Sequence, residues 1–129
     1  MTGPLCLDSS VLIRHLRGES EIVAKVNAVD RPVLPVPVLG ELLVGARLSN
    51  RPESETLRVR KLAGFCQLAS PDTVTASTYA EIKVALRRAG TPIPENDIWI
   101  AALCIQHDWE LAFRDKHFPL VPGLRCQPW

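Results

Sequence analysis

What constrains this chain most is the way very short apolar runs alternate with longer segments of helical periodicity. Leu5-Cys6-Leu7 is apolar and ends at Asp8-Ser9-Ser10. A helix is expected next, because Asp and Ser are preferred N-caps and Val11, Leu12 and Leu16 fall on one helical face. Gly18 stops it. A second helix is predicted from about Ser20 to Val29, with Ile22, Val23 and Val26 inward. Arg31-Pro32 breaks the chain before a second strand at Val33-Leu34. Pro35 and Pro37 then introduce a helix through Val38–Ala46, and Pro52 starts another with Leu57, Val59 and Leu62 among its apolar positions. Leu68-Ala69 reads as a third strand, and Thr75–Arg88 as a helix ended by Gly90. After the loop Thr91–Pro94, Asn96 or Asp97 opens a segment whose body, Ile98–Ile105, is apolar throughout. That run suits a buried strand as well, but the Ala101-Ala102 pair and the preceding Asn-Asp favour a helix. Glu110–Phe113 is a strand candidate, and a last strand is expected near Leu120-Val121. Strands alternating with helices imply parallel β-α-β units, hence an α/β sandwich around a central sheet.

The chain has 129 residues, which predicts one domain spanning residues 1–129. With 47% hydrophobic and 22% charged residues, disorder and collagen-like repeats are excluded. A chain of this size buries about two-thirds of its unfolded surface, enough for a core without disulfide or structural metal. Lys and Arg number 15 against 14 Asp and Glu, and the pI is near 7.7. Proteins that bind nucleic acid through their overall field usually exceed a pI of ~9. Contact with an anionic polymer would therefore need a local patch or bound cations. Cys6, Cys66, Cys104 and Cys126 lie far apart in sequence, with no CxxC pairing, and read as unpaired thiols of a reducing compartment. The stretch from Met1 to Ser10 has no basic region and only a short apolar one. Neither a signal peptide nor a membrane anchor is expected there, and the location expected is cytoplasmic.

Four carboxylates stand out. Asp8 follows the first strand and Asp115 a late one, so both are expected at the carboxyl edge of the sheet, where α/β proteins bind ligands. Asp97 opens a helix. Glu41 is the only charged residue between Pro32 and Arg47, and burying it is costly unless something cationic or hydrogen-bonding meets it. Each has an ordinary structural explanation: an N-cap for Asp8, the helix dipole for Asp97, a turn for Asp115, and pairing with Arg14 or Arg47 for Glu41. If they converge, each pair ~4 Å apart repels by about 4 kcal/mol at an effective dielectric of roughly 20. One or two divalent cations would relieve this, and an all-carboxylate site selects Mg2+ or Mn2+ over zinc.

The strings Leu7-Asp8-Ser9-Ser10-Val11-Leu12-Ile13, Glu41-Leu42-Leu43-Val44-Gly45, Pro94-Glu95-Asn96-Asp97-Ile98-Trp99-Ile100-Ala101-Ala102 and Arg114-Asp115-Lys116-His117-Phe118 resemble a PIN domain. More closely they are similar to the VapC toxins of type II toxin–antitoxin pairs, in the family's order from Leu5 to Phe118. The resemblance implies a three-layer α/β/α sandwich around a mainly parallel sheet. It implies a Mg2+- or Mn2+-dependent endoribonuclease that hydrolyses phosphodiesters of a transfer or ribosomal RNA to 5′-phosphate and 3′-hydroxyl ends, inhibiting translation. It also implies a VapB-type antitoxin as partner, bound over an apolar groove on the first helices, and assembly as a homodimer or a toxin–antitoxin hetero-oligomer.

By the same resemblance Asp8, Asp97 and Asp115 hold the metal, directly or through water, and Glu41 completes the shell or accepts a proton. Ser10 matches a position that supports the first aspartate, and Asn96 one that orients its loop. Ser10, Asn96, Arg114 and Lys116 are candidates for substrate contact. The chain departs from the pattern twice. Phe113 stands where relatives often carry Thr or Ser, and His117 where many carry a further aspartate; His117 reads as a loop histidine without a ligand role.

Arg14 and Arg17 follow Asp8, whereas Arg58, Arg60, Lys61, Arg87 and Arg88 read as solubilising charges. Aromatic residues are too few for a base-stacking platform, so RNA shape and a local loop are the expected basis of recognition. The apolar surplus at Trp99 and Leu103 is either a dimer interface or an enclosed core helix. A dehalogenase-like phosphatase would need an acid where Ser10 stands. A receiver module would need an acidic pair where the first strand offers only Asp8. The remaining alternative is a PIN-fold module that binds RNA or a protein without efficient catalysis, suggested by Phe113.

Overall fold

A computed structural model describes residues 4–129. Met1–Gly3, part of the stretch expected to carry no leader, lie outside the described residues. The elements are β1 (Leu5–Leu7), α1 (Ser9–Leu16), α2 (Ser20–Asn27), β2 (Val33–Pro35), α3 (Val36–Leu48), α4 (Pro52–Gly64), β3 (Gln67–Ala69), α5 (Thr73–Ala89), α6 (Glu95–His107), β4 (Glu110–Phe113), a 3₁₀ turn (Phe118–Leu120) and β5 (Cys126–Pro128). The sheet runs β3-β2-β1-β4-β5 and every neighbouring pair is parallel.

This order makes the sheet doubly wound. From β1 the chain steps outward to β2 and β3 through α1–α4, then returns through α5 and α6 to β4 on the other side of β1. Because parallel crossovers are right-handed, reversing direction puts α5 and α6 on the opposite face from α1–α4. The expected α/β/α layers follow. The reversal falls between β1 and β4, where Leu7 lies opposite Ala112.

The main core packs both central strands and Pro-led α3 around Leu7, Val11, Leu12, Leu34, Val38 and Leu111. A second cluster joins α5 to α6 through Ile82, Leu86, Ile98, Ala101 and Ala102. Helix α6 faces both, since Ile100 and Cys104 enter the main core. A helix buried on all sides needs no polar stripe, which explains its unbroken apolar run. Leu103 is fully enclosed, while half-buried Trp99 stacks on Tyr79 at 4.2 Å.

The last strand differs from expectation. Leu120-Val121 is not extended: Phe118–Leu120 forms a 3₁₀ turn containing Pro119, and Val121 packs into the second core cluster. The strand that closes the sheet is Cys126–Pro128, paired with β4. It is three residues long, half-exposed and ends in Pro, a residue tolerated on an edge strand. Shorter corrections concern helix ends. Helix α2 stops at Asn27, α6 starts at Glu95, and α5 starts at Thr73 because Asp72 and Thr75 form a capping box. All four cysteines are free thiols, three of them buried. Among the described residues no helix is long and apolar enough to cross a membrane.

Candidate active site

Asp8 leaves β1 with its amide still in the sheet, donating to the Ala112 carbonyl at 3.1 Å. Its Oδ2 caps α1, accepting from the Ser10 amide at 3.2 Å and the Ser10 hydroxyl at 2.6 Å. The N-cap reading is thus correct for one oxygen. The other, Oδ1, is buried and has no hydrogen-bond partner among the described residues, in a residue only 2% exposed. A buried carboxylate oxygen left without a donor is a costly arrangement that calls for a ligand. Ser10 Oγ also accepts the Arg114 amide at 3.0 Å, tying the start of α1 to the loop after β4.

That loop carries Asp115, whose Oδ1 accepts the His117 amide at 2.8 Å. The His117 ring folds inward: its Nδ1 lies 2.6 Å from Asp115 Oδ1 and 3.2 Å from Asp97 Oδ2. One ligand atom from each of Asp97, Asp115 and His117 lies within 4.8 Å of the others. His117, expected to be a loop histidine without a ligand role, thus lies against both carboxylates. The signal for it in the sequence was its position two residues after Asp115.

Glu41 projects from α3, half-buried, and accepts from the Ser9 hydroxyl at 3.1 Å and the Asn96 side-chain amide at 3.4 Å. Among the described residues no arginine pairs with it; Arg14 pairs with Glu19 instead, at 3.2 Å. Helices α3 and α6 thus join at the carboxyl edge through a hydrogen bond rather than an ion pair.

The carboxylates feel one another. Burial, and then the charges of Asp8 and Asp115, push the Asp97 carboxyl up to about 6 against the opposing pull of His117. Burial also raises Asp8, opposed by its Ser10 and Ser9 hydrogen bonds, with the Asp115 charge adding to the rise. Glu41 is raised by burial and by the Asp8 and Asp115 charges, against its Ser9 and Asn96 bonds. The charges of Asp8 and Asp115 thus reach both Asp97 and Glu41, and that of Asp115 reaches Asp8.

The other candidates divide. Ser10 and Asn96 are turned toward Asp8 and Glu41, so both hold acids in place. The Arg114 guanidinium donates to the Trp129 carbonyl at 2.6 Å. Lys116 is exposed and has no ion pair among the described residues. Phe113 is buried and meets Phe118 edge-on at 5.9 Å, so its lack of a hydroxyl affects the core rather than the acids. A cavity of about 580 Å³ lies elsewhere, at the amino edge between α1, α2 and α4, and contains none of the four acids.

The sequence model of the PIN domain matches residues 5–124. The protein named ribonuclease VapC1 of Haemophilus influenzae strain R2866 is 26% identical over 128 residues, covering 95% of this chain and 96% of that one. A DNA-bound VapBC structure from Salmonella typhimurium aligns with a TM-score of 0.92 at 25% identity, covering 100% and 99% of the two chains. A VapBC2 structure from Rickettsia felis bound to a promoter DNA fragment shares the fold, with a TM-score of 0.92 at 18% identity over 98% and 99%.

Proposed function

The chain belongs to the PIN domain family, and from that membership we propose that it is a metal-dependent endoribonuclease, the toxin of a VapBC-type pair. The observation that carries this reading is the approach of ligand atoms of Asp97, Asp115 and His117 to within 4.8 Å of one another, together with a buried Asp8 Oδ1 that has no partner among the described residues. The donors present fit a Mg2+ or Mn2+ ion, and Asp8, Asp97 and Asp115 are the residues that would hold it. Bound there, such an ion supplies positive charge for the developing phosphorane and makes water a better nucleophile near neutral pH.

The chain's own groups supply the rest. Ser10 immobilises Asp8 through Oδ2, which leaves Oδ1 free to take a ligand. Glu41, oriented by Ser9 and Asn96 and raised by burial, accepts the proton of the attacking water. Lys116, exposed beside Asp115, and the backbone-anchored Arg114 neutralise RNA phosphates. Breaking the bond to the 3′ oxygen leaves 5′-phosphate and 3′-hydroxyl ends. The substrate is a transfer or ribosomal RNA, and activity is held in check by a VapB-type antitoxin within a homodimeric or hetero-oligomeric complex. The unpaired cysteines suit the reducing cytoplasm in which such RNA is found.

Purified protein should cleave RNA, lose cleavage in EDTA and regain it with Mn2+. Losing even a supporting residue of a metal shell costs 10–100-fold, so Asp8→Asn and Asp97→Asn should lower cleavage by at least about 100-fold while circular dichroism stays native. Cleavage that ignores chelation, or that survives both substitutions, would overturn the proposal.

A further inference from the structure

The His117 ring nitrogen faces two carboxylate oxygens, at 2.6 and 3.2 Å, yet an imidazole Nδ1 can donate only one proton. An Nδ1 proton given to Asp97 Oδ2 leaves Asp115 Oδ1 with the His117 backbone amide as its donor. With the ring proton on Nε2, all three atoms are acceptors turned toward one another, which is the donor set of a cation site. The His117 amide bond to Asp115 Oδ1 closes a short turn that keeps the ring over that carboxylate. An independent observation points to the same ligand. Asp8 is 2% exposed and its Oδ1 is unpartnered among the described residues, and the Ser10 hydroxyl bonded to its other oxygen also holds the Arg114 amide of the loop that carries Asp115 and His117.

We infer that the metal centre of this chain is a mixed nitrogen–oxygen site in which His117 Nδ1 is a ligand beside Asp8, Asp97 and Asp115, favouring Mn2+ and later first-row ions over Mg2+. The inference rests on reading the acidic cluster as a metal centre. Its consequence follows from ligand chemistry: Mg2+ prefers carboxylate and water oxygens, whereas imidazole nitrogen suits transition ions. On this inference the ligand set is not all-carboxylate.

Pulsed electron paramagnetic resonance on the full-length protein loaded with Mn2+ alone provides the test. The chain has three histidines. His15 and His107 sit about 10 Å and 15 Å of helix rise from Asp8 and Asp97, so coupling to a directly bound imidazole nitrogen reports His117. The wild type should show that coupling, and His117→Gln should lose it while its Kd for Mn2+ rises about tenfold or more. His117→Asp, which supplies oxygen, should bind Mn2+ without nitrogen coupling and show a smaller ratio of Mg2+ to Mn2+ dissociation constants than the wild type. Mn2+ bound by the wild type with oxygen ligands only overturns the inference and leaves the metal-centre reading standing. No Mn2+ uptake, or uptake unchanged by Asp8→Asn, overturns both. The wild-type spectrum decides the matter even where a variant fails to fold.

Discussion

Asp97 shows how a single residue can be stable in place only by leave of its surroundings. Burial, and then the charges of Asp8 and Asp115, push its carboxyl up from 3.8 to about 6. Between those values the folded protein holds a proton that the unfolded chain has released, so stability falls as pH rises through this window. With divalent ions chelated, urea unfolding should therefore show lower stability near pH ~7 than near pH ~4.5, by at most about 3 kcal/mol. Asp97→Asn should flatten that slope, as should saturating Mn2+; a slope unchanged by either would mean that Asp97 is not the strained group. The sequence made Asp8 and Asp115 conspicuous because each comes within two residues of a strand's end. That Asp8 spends one oxygen on Ser10 and leaves the other alone is invisible there, since both N-caps and metal ligands are written as Asp.

Elements were legible where the signal is local. Gly90 was read as the stop of α5, and it adopts a left-handed conformation with φ of 72°. Gly45, inside α3, is helical and exposed, and an added Cβ would meet nothing within 4 Å. The same substitution should then act in opposite directions. Gly90→Ala should destabilise by about 1–2 kcal/mol, because only the backbone conformation is at issue, whereas Gly45→Ala should stabilise by roughly 1 kcal/mol. Urea midpoints of the two variants check the signs. Helix α6 was recognisable from its alanines and its polar start although its apolar run lacks amphipathic rhythm. β5 was not recognisable. Its three residues carry little burial and no alternation, while apolar Leu120-Val121 presented a stronger but misleading pattern whose inward residue serves a turn.

At the scale of the whole molecule, the site depends on β1 and β4 being neighbours although more than a hundred residues separate Leu5 from Glu110. Leu111, fully buried at the centre of β4, helps hold that pairing. Leu111→Ala should cost about 2–5 kcal/mol in urea unfolding yet leave Mn2+ binding intact in the fraction that remains folded; unchanged stability would show that the core does not depend on this strand. By itself the sequence determined the alternation of strands and helices, the parallel sheet and the succession of acids at strand ends and helix starts. These follow from caps, periodicity and breakers acting within a few residues. Only the tertiary structure decided that Glu41 is met by Ser9 and Asn96 rather than by arginine, that Phe113 turns into the core, and that His117 lies between Asp97 and Asp115. Those outcomes are distances between side chains from remote segments. Strand order and helix packing set such distances, and no local propensity encodes them.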